Sequence, residues 1–337
     1  MYLPKMRLIK PLLCTALAIA LFGAVQARDA RVAATAASKA PPVPLLWKVT
    51  DDDNAVYLLG SFHLLRPDDY PLSKDVDAAF ADAEKVMFEL SPAEMHSPQI
   101  GVLMAQAALR TDGTQLNSEL PPALVGRLDA WTTANAAELQ KIGMAVPMLQ
   151  MFEPWFVGLL VTLTELTQLG LDPKLGLDAH LAAKATAAGK RTAGFETGAE
   201  QIAFLDGMSR KEQLQFLDEA LTESAAGKDA MHRLHANWRA GNADALWREM
   251  AVEMRTAYPE LYRRINVERN DAWVPRIEQR LKLEGDDDTL VVVGALHLLG
   301  ADGVVEKLRA KGYRVERICS ACKAGAAPAR SVKPKID

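Results

Sequence analysis

Aromatic residues occupy only 6% of the 337 positions, and basic charge is not in excess: 39 lysines and arginines stand against 43 aspartates and glutamates. A formal charge of -4 gives no electrostatic reason to bind a polyanion, which argues against nucleic acid as a partner. No serine sits in a Gly-x-Ser-x-Gly elbow, no Gly-x-Gly-x-x-Gly follows a strand-like run, and no Walker lysine motif occurs. Serine-hydrolase, dinucleotide and nucleotide readings therefore lose support. No apolar run reaches the roughly 20 residues that a membrane-spanning helix requires. What is present, 49% hydrophobic and 24% charged residues, is a globular composition able to bury a sizeable core.

The amino terminus carries Lys5, Arg7 and Lys10 and no acid, then an apolar run over 11–25 that ends in Val25-Gln-Ala27. A charged stretch, an apolar stretch and small residues before a cleavage point stand in secretory order. A signal peptide over residues 1–27 and an exported protein, periplasmic or secreted, are the expectation. Leu13 precedes Cys14 where lipoprotein processing needs a small residue, which weakens a lipid anchor. Loss of the three basic residues takes the formal charge from -4 to -7, and no membrane contact is expected after cleavage.

Cleavage also removes Cys14, leaving Cys319-Ser-Ala-Cys322 alone in a compartment where disulfides persist. No second cysteine pair or flanking histidine completes a zinc set. The motif stands in a tail, away from the strand-to-helix turn that a redox-active pair needs. A short structural disulfide, or two idle thiols, is expected.

Residues 28–43, rich in Ala, Pro and Ser, read as a flexible linker, 44–318 as an α/β domain, and 319–337 as a disordered tail. Two β-prone runs, 45–50 and 55–59, flank Asp51-Asp-Asp-Asn54 and predict a hairpin. Ser73 is placed to cap a helix over 73–83, and 85–89 reads as a short strand. The middle, 98–280, is mostly helical in its spacing, interrupted by a strand candidate over 190–195. Helical spacing over 257–283 is expected to break at Pro275. Leu290-Val-Val-Val293 reads as a strand buried on both faces, followed by a helix over 302–311 and a last strand over 313–318. The expected architecture is a central mixed β-sheet flanked by helices, with a large helical middle region.

The informative feature is an echo. Tyr57-Leu-Leu-Gly-Ser-Phe-His-Leu-Leu65 and Val292-Val-Gly-Ala-Leu-His-Leu-Leu299 both read strand, Gly-x-x-His, Leu-Leu, and each precedes a loop, a helix and another strand. Two β-loop-α-β units, each carrying a Gly-x-x-His motif, place His63 and His297 just beyond strand carboxyl ends, where open α/β sheets bind ligands. Each glycine is expected to let the backbone turn sharply off its strand and approach a ligand. Glu89 and Glu196 end two further strands. Two imidazoles and a carboxylate form an open coordination set for a divalent ion. Either glutamate could ligate metal, orient a histidine or act as general base. The His232-Arg-Leu-His235 pair lacks the glutamate and spacing of HExxH. His96 and His180 read as incidental, and Asp178 reads as a helix-start residue.

These residues resemble the TraB/GumN family, related to the TIKI proteins. The resemblance covers about residues 44–318. It rests on the hairpin entering Gly60-Ser-Phe-His63 and on the closing segment from Val293-Gly-Ala-Leu-His-Leu-Leu-Gly-Ala-Asp-Gly-Val304 to Gly312-Tyr-Arg-Val315. Phe88-Glu89-Leu90, Gly176-Leu-Asp178, Gly194-Phe-Glu-Thr197 with Gln201, and Arg269-Asn270 support it. The resemblance implies a metal-dependent hydrolase site mapping onto His63, His297 and Glu89, and gives Arg269 a role in holding a substrate carboxylate or a developing oxyanion.

The expected function is an exported, metallopeptidase-like hydrolase acting on a peptide or other small substrate. A manganese, zinc or cobalt ion would be held by His63, His297 and Glu89, with Glu89, Glu196 and Arg269 as catalytic candidates. The alternative is a non-enzymatic periplasmic binding protein that holds a metal, a haem-like cofactor or a peptide in the same cleft.

Overall fold

The computed structural model describes residues 40–324 except positions 52 and 286. The signal peptide read at 1–27, the linker up to residue 39 and the tail beyond 324 lie outside the described residues. The end of the linker is docked: Val43 N–H donates to the Arg239 carbonyl at 2.7 Å, and the Arg239 guanidinium donates to the Ala40 carbonyl at 2.8 Å.

Among the described residues six strands form one mixed sheet: β1 (Leu46–Thr50), β2 (Ala55–Ser61), β3 (Lys85–Leu90), β4 (Arg191–Glu196), β5 (Thr289–Gly294) and β6 (Arg314–Arg317), in spatial order β4-β3-β5-β2-β1-β6. β1 and β2 are the expected antiparallel hairpin, with Trp47 opposite Leu58 and Thr50 opposite Ala55. β2, β5, β3 and β4 are mutually parallel neighbours. Every residue of β2 and β5 is buried, as suits parallel strands covered on both faces. From the adjacent strands β2 and β5 the chain leaves in opposite directions, toward β3 on one side and toward β6 on the other. Such a divergence opens a crevice at the carboxyl edge.

Among the described residues the helices of seven or more residues are α1 (Lys74–Asp82), α2 (Pro98–Ala108), α3 (Pro122–Lys141), α4 (Pro154–Gln168), α5 (Leu177–Ala187), α6 (Gly198–Asp206), α7 (Arg210–Ala226), α8 (Asp229–Arg239), α9 (Ala243–Met250), α10 (Glu268–Leu281) and α11 (Val304–Ala310). Ser73 caps α1 as expected, its side chain accepting from Val76 N–H. Helix α4 is apolar on nearly every side and buried along most of its length, the pattern of a helix surrounded by other helices. It meets α7 closely at Gly158, where a Cβ would stand 3.0 Å from the Phe216 ring and 3.2 Å from Leu217 Cα.

Pro275 does not break its helix. It lies inside α10, which runs on to Leu281. The irregularity falls earlier, where a turn over Pro259–Tyr262 passes into a π-helical segment, Arg263–Val267, and then into α10. Proline removes one backbone donor, and here Trp273, Val274, Ile277 and Leu281 bury the helix on both sides of that gap. Cys319 and Cys322 form a disulfide. A short helix, Ser320–Ala324, occupies the first residues of what the sequence reads as unpatterned tail. Among the described residues no helix is long and apolar enough to cross a membrane.

Candidate functional site

The four parallel strands end side by side, and each delivers a polar residue to the same edge. Glu196 is the last residue of β4, Glu89 lies one before the end of β3, His63 follows the end of β2, and His297 sits in the helical turn Ala295–Leu298 that follows β5. Arg269 enters from the first turn of α10. All five are buried or nearly so.

Neither Gly60 nor Gly294 adopts a positive φ, contrary to the sharp turn expected of them. Their role is clearance. A Cβ on Gly60 would stand 3.2 Å from Ala295 Cα in the neighbouring unit. A Cβ on Gly294 would stand 3.0 Å from His63 Nε2 and 3.2 Å from Glu89 Oε1, in the space between the functional groups.

The two histidines are held alike in geometry but not in charge. His63 Nδ1 lies 2.6 Å from Asp178 Oδ2, which also accepts from Ser61 Oγ at 2.6 Å. Burial works against protonation of His63, but the Asp178 carboxylate, assisted by Glu89, outweighs it and lifts the pKa to about 8. His297 Nδ1 lies 2.7 Å from the Asn270 amide oxygen, while Asn270 Nδ2 donates to the Asp302 carbonyl at 2.8 Å. An amide offers no charge to offset burial, and the Arg269 guanidinium adds repulsion, so the His297 pKa falls to about 3. His297 therefore stays neutral, with its proton on Nδ1 and its Nε2 lone pair facing inward.

Arg269 binds the two glutamates together. Its Nη2 donates to Glu89 Oε2 and to Glu196 Oε2, each at 2.6 Å, and its Nε donates to Glu196 Oε1 at 2.7 Å. Its Nη1 lies 3.1 Å from His297 Nε2. Burial pushes the Glu89 carboxyl up, but Arg269, the neighbouring imidazoles and the Gly294 N–H overcome it and hold the group well below the usual carboxylate range. Glu196 sits behind Arg269, where Trp273 Nε1 donates at 2.9 Å and Gln201 Nε2 at 3.0 Å. Its oxygens are committed to holding the guanidinium. Glu89 Oε1 instead faces both imidazoles, 3.7 Å from His63 Nε2 and 4.0 Å from His297 Nε2.

The donors fit a divalent ion in kind. Both Nδ1 atoms are tied to oxygens, the arrangement that orients metal-bound imidazoles. Glu89 Oε1 faces both Nε2 atoms across the clearance that Gly294 leaves. As arranged, however, no three His, Cys, Asp or Glu side chains among the described residues form a grouping that could hold a metal ion. Arg269 Nη2 donates to Glu89 Oε2 and its Nη1 faces His297 Nε2, so both of these candidate donors are already engaged. With His63 protonated, the Asp178, Glu89 and Glu196 carboxylates still outnumber the His63 and Arg269 cations and leave the cluster anionic.

Above the cluster lies a narrow recess of about 50 Å³ lined by His63, Glu89, Gly294 and His297 on its floor and by largely apolar side chains from α8, α9 and the π-helical segment. A wider groove beside α3 and α7, lined by Arg127, Glu138 and Lys141, includes none of these residues.

Sequence reasoning missed the residues that hold the histidines. Asp178 does open α5, as expected of it, but it is also the carboxylate partner of His63. Its signal was the Gly176-Leu-Asp178 motif: Gly176 brings the helix start against the His63 carbonyl, and Leu177 N–H donates to the Phe62 carbonyl at 3.1 Å. Asn270 was legible only as the neighbour of Arg269. Trp273 packs its ring 4.5 Å from that of His297 without any advance signal. The His232/His235 pair stands apart: His235 Nε2 bonds to Asp69 at 2.9 Å, and His232 meets Arg66. His96 bonds to its own helix's Pro92 carbonyl, and His180 packs on Tyr70.

The model of the TraB/PrgY/gumN family matches residues 45–317. No curated protein and no solved structure matches the chain.

Proposed function

Because the chain belongs to the TraB/PrgY/gumN family over nearly all of its described length, we propose that it is a hydrolase of peptide or other amide bonds, with His63, His297 and Glu89 holding a divalent manganese, zinc or cobalt ion. The observation that carries this reading is the convergence of His63 Nε2, His297 Nε2 and Glu89 Oε1 at one buried carboxyl edge, with each Nδ1 anchored behind them. When bound, such an ion supplies carbonyl polarisation and a water of lowered pKa.

The chain's own residues do the rest. Asp178 keeps the His63 ring turned so that Nε2 faces the recess, and Asn270 does the same for His297. Glu196 and Trp273 hold the guanidinium plane of Arg269, leaving its Nη1 edge toward His297. From there Arg269 is the donor for a substrate carboxylate or for the oxyanion that develops on the attacked carbonyl. Glu89, at the floor of the recess, is the candidate to take a proton from water, with Glu196 behind Arg269 as the other carboxylate. The N-terminal pattern over residues 1–27 supports an exported site of action.

A second reading, a binding protein that uses the same recess without turnover, is favoured by one observation: every carboxylate oxygen of Glu89 and Glu196 already has a donor. Elemental mass spectrometry on the purified chain and on the His63→Ala/His297→Ala double variant separates these readings, together with mass-spectrometric detection of peptides released from denatured casein. Near-stoichiometric metal and peptide release, both lost in a double variant of unchanged circular dichroism, are expected. Metal that persists in the double variant would overturn the ligand assignment, and metal without release would leave the binding reading.

A further inference from the structure

Asn266 lies on the π-helical segment Arg263–Val267 and is only 1% exposed, yet its side-chain oxygen has no hydrogen-bond partner. The amide's orientation follows from its neighbours. Tyr262 Oη lies 3.3 Å from Asp302 Oδ2 and 3.1 Å from Asn266 Nδ2. Burial and the Asp302 carboxylate push the Tyr262 pKa up to about 12, so the hydroxyl keeps its proton. A carboxylate can only accept, so the single hydroxyl proton goes to Asp302 and the oxygen must accept from the amide nitrogen. Reversing the amide would set two acceptors against each other. Asn266 Oδ1 is therefore a buried acceptor without a donor, a state that costs about 1–3 kcal/mol when nothing fills it.

Asn266 lines the same recess as His63, Glu89 and His297. Apart from Ser61, whose hydroxyl donates to Asp178, the rest of that wall is apolar, with Phe62, Leu234, Leu246, Met250, Ile265 and Leu296. An apolar pocket with a few placed polar groups selects a ligand that carries an apolar group and a matching polar one. A π-helical segment, whose wider turn re-aims side chains, is a frequent feature of functional sites.

Resting on the reading of this recess as the substrate site, we propose that Asn266 is its specificity-determining residue. Its Oδ1 accepts a hydrogen bond from an amide N–H adjacent to a small branched aliphatic group. The substrate class this selects is a peptide or acyl amide with a small branched apolar side chain next to an unsubstituted N–H. Tyr262, fixed by Asp302, is the positioning residue that keeps the oxygen free.

The test measures binding and needs no turnover. N-methylisovaleramide carries one N–H beside a branched chain, and N,N-dimethylisovaleramide has the same chain and no N–H. Titrations of both into the purified full-length protein, followed by NMR shift changes, are expected to show about five-fold tighter binding of the N–H probe, the size of one net hydrogen bond. Asn266→Leu should erase that preference, Asn266→Asp, which keeps an acceptor, should retain it, and Tyr262→Phe, which frees the amide to rotate, should weaken it. Equal binding of the two probes to the native protein, no measurable binding of either, or a preference that survives Asn266→Leu in a folded variant would overturn the proposal. A preference that persists in the native protein when no peptide is cleaved supports recognition by Asn266 while refuting hydrolysis, so the two readings fail separately.

Discussion

Arg269 is the residue on which the buried edge depends. It is 3% exposed and is the cation placed between Glu89 and Glu196, which are themselves buried or nearly so. Its guanidinium also lies over the Trp273 ring at 4.9 Å and the Phe204 ring at 5.4 Å. Removing one partner of a buried ion pair leaves an uncompensated charge and costs about 3–5 kcal/mol. Arg269→Ala is therefore expected to lower unfolding free energy by about that amount, read from urea titrations. Arg269→Lys keeps the charge but lacks the fork that reaches Glu89, Glu196 and His297 at once, so it should recover only part of the loss. Full recovery by lysine would show that the planar geometry is unimportant.

At the scale of elements, the start of α5 is seated against the loop that carries His63. A Cβ at Gly176 would fall 2.0 Å from the His63 carbonyl oxygen and 2.7 Å from its carbon, a backbone-to-backbone collision that no side-chain rotation relieves. Gly176→Ala must therefore push α5 away and carry Asp178 off His63. The expected result is a lower melting temperature and a fall in the His63 pKa, followed by imidazole NMR in metal-free protein, from about 8 toward 6.5. Gly101, inside α2 with nothing near its would-be Cβ, is the control. Gly101→Ala should be neutral or stabilise by up to about 1 kcal/mol. An unchanged His63 pKa in Gly176→Ala would refute the docking argument.

Across the whole molecule, Asp69 fastens the loop after β2 to α8. It is fully buried, accepts from Arg66 N–H at 2.7 Å, bonds to His235 at 2.9 Å and pairs with Arg239, whose guanidinium also holds the Ala40 carbonyl. Burial raises the Asp69 pKa, but the bonds to His235, the Arg66 amide and Arg239 outweigh it and the net shift is downward. A carboxyl depressed in the folded state contributes stability that is present above its unfolded pKa, about 3.9, and lost as pH falls through the folded value. Asp69→Asn should therefore be less stable than the native protein at pH 7, with the gap narrowing in urea titrations taken below about pH 4. A gap that stays constant down to pH 2 would show that Asp69 does not stabilise the fold through its charge.

What the sequence determined by itself is the set of local elements and the two motifs. Apolar β-branched runs mark β2 and β5 because a parallel strand covered on both faces needs such residues along its length. The echoed Gly-x-x-His segments mark His63 and His297 because residues just past a strand end share a local geometry wherever they occur. Pro275 misled, because loss of one donor is outweighed by the apolar packing of α10, which no local window contains. Tertiary structure alone decided that β5 inserts between β2 and β3, which is what sets the histidines side by side and turns Glu89 toward both. It also decided their charge. Two nearly identical motifs become one imidazole lifted toward protonation and one kept neutral, because one Nδ1 meets the carboxylate of Asp178 and the other the amide of Asn270. Those partners lie 115 and 27 residues away along the chain. Electrostatic energy depends on distance through space, and only the folded chain sets that distance.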